Sequence, residues 1–156
     1  VHYVRAPAKY GASGRFLAAV AACRGEYIGL LDDDDEYRPE FVERLAAVLD
    51  GDAAAGIAFC RSTFEWRGRL SSPIDRRPAG RIPAAAHAML RAGWTVSPSH
   101  MLIRRSALDA ALRVRPMPDG VAPDMWVNLS VALAGWHHVL VAAPLVVYRW
   151  HEGQPS

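Results

Sequence analysis

Apolar and polar positions alternate along the chain with spacings that predict helices and strands in turn. Phe16, Val20 and Cys23 recur at i, i+4 and i+7, which is the spacing of one helix face. Elsewhere, short apolar runs have the length of buried strands. The predicted helices are residues 15–23, 84–91, 106–112 and 124–134, with one more that opens at residues 38–40 and carries an apolar face to Leu49. The predicted strands are residues 2–5, 27–31, 56–61 or longer, 99–104, 138–141 and 145–149.

Residues at the ends of these segments support the boundaries. Proline suits the first helical position, so Pro39 marks the start of the second helix. Ser106, with Asp109 three residues later, resembles a capping box at the start of the fourth helix. Residues 68–83 and 115–123 are rich in proline, glycine and polar residues, so we predict loops there.

The alternation of helices and strands predicts an α/β layered domain. A chain of 156 residues can bury a core of its own, so residues 1–156 are interpreted as a single domain. In α/β sheets, ligands gather at the carboxyl ends of strands. The aspartates 32–35 directly follow the predicted strand at residues 27–31, which makes them the first candidate for a site.

Charge and cysteine usage limit the partners and the compartment. The net charge of +2 is too small to indicate a nucleic-acid partner, and no apolar run approaches the roughly 20 residues of a membrane span. Cys23 and Cys60 lack a metal-binding spacing, so we predict buried free thiols and a reducing compartment. A cytoplasmic location is expected, with peripheral attachment to the inner membrane face as an alternative.

Two of the aspartates are placed to share a cation. In an extended Asp-x-Asp segment the first and third side chains point to the same side, so Asp32 and Asp34 converge. Converging carboxylates suit a hard divalent cation such as Mg²⁺, whose charge cancels their repulsion. The alternative is a solvated acidic loop that caps the following helix. The run of aspartates alone leaves both interpretations open.

Three segments carry more specific motifs. The segment GASGRFLAAVAACRGEYIGLLDDDDEYRPEFVERL starts at Gly11 and leads from a helix through a strand into Asp-x-Asp-Asp. The segments PDMWVNLSVALAGW, from Pro123, and APLVVYRWHEGQPS, from Ala143, form a helix that starts with an acidic residue and a closing strand with Tyr-Arg-x-His. Together they resemble the family 2 glycosyltransferases, which have the GT-A fold. The resemblance is strong over residues 11–45, fair over residues 99–156 and weak between them.

The resemblance implies a Rossmann-like mixed sheet flanked by helices. It also implies that the strand-helix-strand unit that holds the nucleobase in this family would lie before Val1. On that interpretation the chain is an N-terminally incomplete GT-A domain that binds a nucleotide-sugar weakly by itself. Its sheet would then have an exposed edge through which copies could self-associate.

The resemblance also assigns residues to the donor and to a metal ion. Asp32 would bind the donor near the ribose, with Asp33 as the variable residue of the motif. Arg15 matches the family's helix arginine, as a structural or a phosphate-side contact. Gly11 is a loop glycine that could let the backbone approach phosphate, with a plain turn as the alternative. The metal ligands would be Asp34 and His151, with Asp35 as an alternative ligand.

The same resemblance assigns the catalytic base. Asp124 matches the aspartate of the Glu-Asp motif, although Pro123 stands where the family has the glutamate. Asp119, in the preceding loop, is the second candidate. The acceptor side would include Trp94, Ser99 and His100.

The resulting functional interpretation is an inverting transfer of a sugar from a nucleotide-diphosphate sugar to an acceptor hydroxyl. It would depend on Mg²⁺ or Mn²⁺ and would serve polysaccharide or glycoconjugate synthesis. One alternative is a non-catalytic GT-A module for binding or assembly. The other is a metal-dependent nucleotidyl- or phosphoryl-transferase, which predicts a general phosphate-binding loop or a lysine near the site, and Lys9 is the only lysine.

Overall fold

The computed structural model describes residues 11–71, 77–92 and 96–152. Within them the helices are α1 (Ala12–Ala22), α2 (Phe41–Gly51), α3 (Ala85–Ala92), α4 (Arg105–Val114) and α5 (Pro123–Leu133). The strands are β1 (Tyr27–Gly29), β2 (Glu36–Tyr37), β3 (Ala55–Trp66), β4 (Arg69–Ser71), β5 (Gly80–Arg81), β6 (Met101–Arg104) and β7 (His137–Arg149). The strand predicted at residues 2–5 lies outside the described residues.

The strands form one mixed sheet in the order β1-β6-β3-β7-β2. Its centre is the long parallel pair of β3 and β7. The remaining neighbours are antiparallel: β6 pairs with both β1 and β3, and β2 pairs with the second half of β7. β4 folds back on β3, and β5 pairs with the first half of β7. The predicted α/β class with a mixed sheet flanked by helices is therefore confirmed.

The alternation of side chains along β3 builds a core on each face of the sheet. Ile57 and Phe59 point to one face, where they pack against α1, α4 and α5. Ala58 and Cys60 point to the other face, where α2 covers them. Because successive strand residues point to opposite faces, a strand that is buried on both sides reads as a continuous apolar run.

The apolar face predicted for α2 is confirmed. Phe41, Leu45 and Leu49 are fully buried against the sheet. The ring of Tyr37 stacks on Phe41 with 3.7 Å between ring centroids and 8° between their planes. Pro39, however, lies in a turn before the helix and is not its first residue. The stacked rings fix the entry to α2 directly after β2.

The prediction of two strands around Pro144 is wrong, because β7 is one continuous strand. Its pairing with β3 is irregular at this point: Cys60 lies opposite Val141, whereas Arg61 lies opposite Pro144. A strand that carries extra residues at a bulge can hold a proline without ending. The proline therefore marks an irregularity in the pairing and not a break in the strand.

The capping box predicted at Ser106 is also wrong. α4 starts one residue earlier, directly after β6, and none of the described side chains caps its first turn. The backbone N–H of Arg105 donates instead to the Glu26 carbonyl at 2.8 Å. The Arg104 side chain, meanwhile, donates to the Ala55 carbonyl at 3.0 Å. These contacts with β1 and β3 fix the start of the helix, and a local cap is not needed.

Three further predictions need correction. Residues 68–83 were expected to be a loop, but they contain β4 and β5, because pairing with β3 and β7 outweighs their weak strand pattern. The strand predicted at residues 99–104 begins only at Met101, after a turn of 3₁₀ helix over Pro98–His100. Cys60 is a buried free thiol as predicted, whereas Cys23 is exposed because it follows the last turn of α1.

The outer edge of the sheet at β1 has no strand partner among the described residues. Self-association through this edge stays a prediction. In the same described ranges, no helix is both long enough and apolar enough to cross a membrane.

The close approach of β3 to α4 and α5 depends on Gly56. A Cβ atom added there would lie 2.7 Å from Val131 Cγ1 and from Trp136 Cβ, and 3.0 Å from Ala107 Cβ. We expect Gly56→Ala to lower the free energy of unfolding by about 1–3 kcal/mol through overpacking. Gly51→Ala is the matched control, since its Cβ would meet nothing within 4 Å. Urea unfolding followed by circular dichroism measures both, and equal stabilities would contradict this packing.

Candidate active site

Residues 30–35 cross the end of the sheet from one edge to the other. β1 and β2 occupy opposite ends of the strand order, yet only these residues join them. In a flat sheet four strand spacings would separate the two strands by about 19 Å. The Tyr37 hydroxyl nevertheless donates to the Leu30 carbonyl at 2.6 Å. The sheet therefore curls, and the aspartates lie across its end.

A tight turn holds the four aspartates together. The Asp35 N–H donates to the Asp32 carbonyl at 3.2 Å, which closes the turn around Asp33 and Asp34. The Asp32 N–H donates to Ser99 Oγ at 3.1 Å. Ser99 is fully buried just before β6, so its hydroxyl attaches the turn to the middle of the sheet.

Arg149, the last residue of β7, fastens the other half of the turn. Its backbone N–H donates to Asp35 Oδ1 at 3.1 Å, and its guanidinium donates to the Asp34 carbonyl at 3.3 Å. The guanidinium also contacts Glu36 at 2.5 Å and Glu65 at 3.2 Å. The hydrogen bond with Glu36 is the main reason why the pKa of Arg149 is raised. Two glutamates share this cation, so only part of its charge acts on the aspartates, where it lowers the pKa of Asp35 without outweighing burial.

The electrostatics of the turn disfavour its own negative charge. Partial removal from water raises the pKa of Asp32, and the charges of Asp35 and Asp34 add to the effect. Burial raises the pKa of Asp35 too, against the hydrogen bonds from Ser99 and Arg149, which lower it. Asp35 Oδ2 is buried and has no hydrogen-bond partner among the described residues. A cation at this turn would stabilise the ionised carboxylates.

The two residues predicted as metal ligands lie side by side. His151 Nε2 is 3.1 Å from Asp34 Oδ2, and the side chains of His151 and Asp34 are 53% and 25% exposed. Within the described residues, no group of three His, Cys, Asp or Glu side chains is arranged to hold a metal ion. One carboxylate can still suit a cation that takes its other ligands from phosphate oxygens and water, as Mg²⁺ does, and the imidazole beside it could contact the same cation or a phosphate.

Asp124 faces the same region from the first turn of α5. It follows Pro123, the first residue of that helix, and its charge is one of those that raise the pKa of Asp32. Its carbonyl accepts a 2.8 Å hydrogen bond from Asn128 Nδ2, which also donates to the Val96 carbonyl at 3.0 Å. The start of α5 is thus held in place while the Asp124 carboxylate remains partly exposed.

The other predicted donor residues surround the start of α1. Gly11 precedes the helix and Arg15 lies one turn into it, and both are exposed. Ser13 is buried, and its Oγ accepts a 3.3 Å hydrogen bond from the Gly120 N–H. Asp119, the second candidate for the base, is the exposed neighbour of Gly120. The start of α1 therefore lies beside the loop that leads to Asp124, and the roles of these residues stay predictions.

The predicted acceptor residues have different surroundings. Trp94 lies outside the described residues. Ser99 contacts the aspartate turn, as described above. The imidazole of His100 packs 5.9 Å from the ring of Tyr148, and burial lowers its pKa to about 4, so it is neutral near pH 7. An acceptor role for these residues stays a prediction.

Three contacts at or beside this site were not predicted from the sequence: Ser99 with the turn, Arg149 with the turn, and Trp66 with Trp150. Ser99 and Arg149 hold the turn, although their predicted elements did place them near strand ends. Trp66 and Trp150 lie together at the ends of β3 and β7, with 4.3 Å between ring centroids. A parallel pairing of these two strands would have brought them together, but the pairing depends on tertiary structure and has no local signal.

Comparison with known proteins identifies the class. The chain matches the family described as Glycosyl transferase family 2 over residues 1–112. It is similar to S. aureus TarS 1–349 in complex with UDP-GlcNAc, with TM-score 0.67 and 16% identity over 88% of this chain and 38% of that chain. A second structure of TarS 1–349 gives a TM-score of 0.67 and 18% identity, and the match covers 89% of this chain and 40% of that chain. A structure described as a mycobacterial protein gives a TM-score of 0.51 and 19% identity, and the match covers 96% of this chain and 47% of that chain. A search of curated proteins gave no match.

These structural likenesses are at low identity and therefore establish the fold, which is that of the GT-A glycosyltransferases. The chain spans about two fifths of the length of the TarS 1–349 structures. Because the family match covers residues 1–112 of 156, the chain belongs to glycosyl transferase family 2. The predicted family and the predicted GT-A fold are both confirmed.

Proposed function

We propose that this domain transfers a sugar from a nucleotide-diphosphate sugar to an acceptor hydroxyl, with inversion at the sugar carbon. Membership of family 2 supports the class of reaction. The observation that carries the proposal is the pair of Asp34 and His151, 3.1 Å apart at the end of the curled sheet. The bound UDP-GlcNAc in the structure of TarS makes that compound the first donor to test.

Asp34 and His151 would hold a divalent cation, with Asp35 as a further ligand. Bound there, Mg²⁺ or Mn²⁺ would neutralise the charge of the departing nucleoside diphosphate. Oδ2 of Asp35, which has no partner in the described part of the chain, and the raised pKa values of Asp32 and Asp35 favour a bound cation. Ser99 and Arg149 keep the backbone of the turn fixed. The carboxylates therefore need little rearrangement when the donor binds.

Asp32, Arg15 and Gly11 would bind the donor. Asp32 is held at the sheet side of the turn by its N–H and Ser99, and its exposed side chain could accept a hydrogen bond from a ribose hydroxyl. Arg15 and the backbone after Gly11 lie at the start of α1, where the positive end of the helix dipole and a cationic side chain suit phosphate oxygens.

Asp124 would act as the base that takes the proton of the acceptor hydroxyl. It lies on the first turn of a well-anchored helix, close enough for its charge to act on Asp32. Asp119 is more exposed and lies on a turn, which makes it the second candidate. A fixed carboxylate is the better base, since general base catalysis depends on the distance to the proton.

The cellular setting is part of the proposal. Cys23 is an exposed free thiol and Cys60 a buried one, which favours a reducing compartment such as the cytoplasm. We infer a role in polysaccharide or glycoconjugate synthesis there, with peripheral attachment to the inner membrane face as a variant.

The metal assignment is tested by a pair of matched variants. We expect Asp34→Asn to weaken Mn²⁺-dependent binding of UDP-GlcNAc by more than about tenfold, because even outer residues of metal sites have effects of that size. Asp33→Asn removes the same charge from the exposed residue next to it and is expected to leave binding nearly unchanged. Calorimetry with and without Mn²⁺ measures both. Equal losses in the two variants would show a general charge effect and contradict the assignment.

The base assignment is tested by a second pair. We expect Asp124→Asn to lower the rate of sugar transfer at least about 100-fold while donor binding is retained, since a positioned base contributes that much. Asp119→Asn should lower it less than a few fold. Mass spectrometry of the products measures transfer and separates it from release of a nucleoside monophosphate. A larger loss in Asp119→Asn would reverse the assignment, and release of nucleoside monophosphate would support the nucleotidyl-transferase alternative.

A further inference from the structure

Two tryptophans lie side by side next to the candidate metal site. Trp66 is the last residue of β3, and Trp150 directly follows β7. Their ring centroids are 4.3 Å apart and their planes are tilted by 50°. Trp150 is 51% exposed, and neither ring belongs to the two core clusters. Trp66 is half-buried, so the pair presents one exposed and one partly exposed aromatic ring beside the candidate site, where a ligand could reach them.

The pair is held in a defined position. Arg67 and Gly68 both have positive φ, 49° and 75°, as in a type I′ turn, and they place Trp66 at the tip of the β3–β4 hairpin. The Trp150 N–H donates to the Glu65 carbonyl at 3.0 Å, which ties the second ring to the same strand. The guanidinium of Arg67 lies 5.0 Å from the Trp66 ring centroid. Backbone contacts on both strands therefore present the two rings together.

A shallow cleft of about 330 Å³ opens over these rings. Its remaining lining residues are Arg67, His151 and Glu152. Arg67 and Glu152 form an exposed ion pair of 2.9 Å at the rim. His151 belongs both to this cleft and to the candidate metal site, where it meets Asp34. The cleft and the candidate metal site therefore adjoin each other and share His151.

We propose that the Trp66–Trp150 pair is a binding platform for a pyranose ring of the acceptor. The C–H face of a pyranose is apolar and packs on an indole ring, while its hydroxyls need hydrogen-bonding partners at the edge. Arg67 and Glu152 supply a donor and an acceptor in that position. That this sugar is the acceptor rests on the proposed transfer function. That a sugar binds to the two tryptophans does not depend on that function.

The charge of the rim favours a sugar over a membrane surface. Peripheral attachment to anionic lipid needs an excess of basic residues around the exposed aromatic rings. Here Arg67 is paired with Glu152, and Arg69, opposite Trp66 on β4, is a further basic residue next to the rings. One further arginine is far from the cluster of about four to eight basic residues that anionic lipid attracts. A neutral, hydroxyl-rich ligand matches this combination of flat apolar rings and paired charges.

The experiment titrates the chain with cellotriose and chitotriose and follows ligand signals by saturation-transfer NMR. We expect Trp150→Ala and Trp66→Ala each to weaken binding roughly tenfold, and Trp150→Phe to retain most of it, because an aromatic contact of this kind corresponds to about that factor. Trp136→Phe is the matched control. Trp136 lies beside Gly56 at the other end of β3, about 33 Å away. UDP-GlcNAc binding with Mn²⁺ should be unchanged in both alanine variants.

The platform would be contradicted if neither trisaccharide binds the wild-type chain, or if both tryptophan variants bind the trisaccharides as well as the wild type does. It would also be contradicted if Trp66 and Trp150 are needed for binding anionic vesicles or UMP but not for binding sugar. If the wild-type chain does not bind UDP-GlcNAc but its sugar binding depends on Trp66 and Trp150, the proposed function is contradicted and the platform is retained. The two failures are therefore distinguishable.

Discussion

The contact between the end of β7 and the aspartate turn is the constraint on which the site depends. Arg149 binds the turn twice, through its backbone N–H to Asp35 and through its guanidinium to the Asp34 carbonyl. On the other side, Ser99 accepts the N–H of Asp32. Four adjacent carboxylates would otherwise separate, since like charges repel at short range. Hydrogen bonds to the backbone of the turn and to the Asp35 carboxylate keep them together, and their negative charge is only partly offset.

The curl of the sheet brings distant parts of the chain to the same aspartate turn. The short crossing from β1 to β2 requires the two edges to approach, and β7 then delivers His151 to Asp34. The acidic end of α5 contributes Asp124 from the helical layer. Asp32 and Asp35 have raised pKa values, and a buried oxygen of Asp35 has no partner among the residues that the structure describes. Both observations favour an occupant that carries positive charge. A nucleoside diphosphate with a divalent cation has the chemistry that such a site requires.

The sequence allowed the α/β class, the helices and the importance of the aspartates to be predicted, because these depend on local patterns. The apolar face of α2 is an example, with Phe41, Leu45 and Leu49 at helical spacing. What could not be predicted depends on pairing between distant segments. Pro144 breaks a local strand pattern but is accommodated by a bulge opposite Arg61. Ser106 has the pattern of a helix cap, yet contacts with β1 and β3 set the start of α4.

The candidate site shows the same division. The motif resemblance predicted Asp32, Asp34, Asp124 and His151, and the structure brings Asp34 into contact with His151. The supporting residue Ser99 was predicted for another role, because its hydrogen bond joins residues 67 positions apart. The tryptophan pair had no local signal either, since Trp66 and Trp150 meet only through the parallel pairing of β3 and β7.

The central claim is that Asp34, His151 and the aspartate turn hold a divalent cation together with the donor diphosphate. The most direct measurement is NMR of the isotope-labelled chain with UDP and a small amount of Mn²⁺, which broadens the signals of amides close to the paramagnetic ion. We predict that the amide signals of residues 32–35 and His151 broaden selectively, and that this broadening is lost when UDP is left out. Broadening centred on Asp50 and Asp52 at the other end of β3, or spread over all acidic residues, would contradict it.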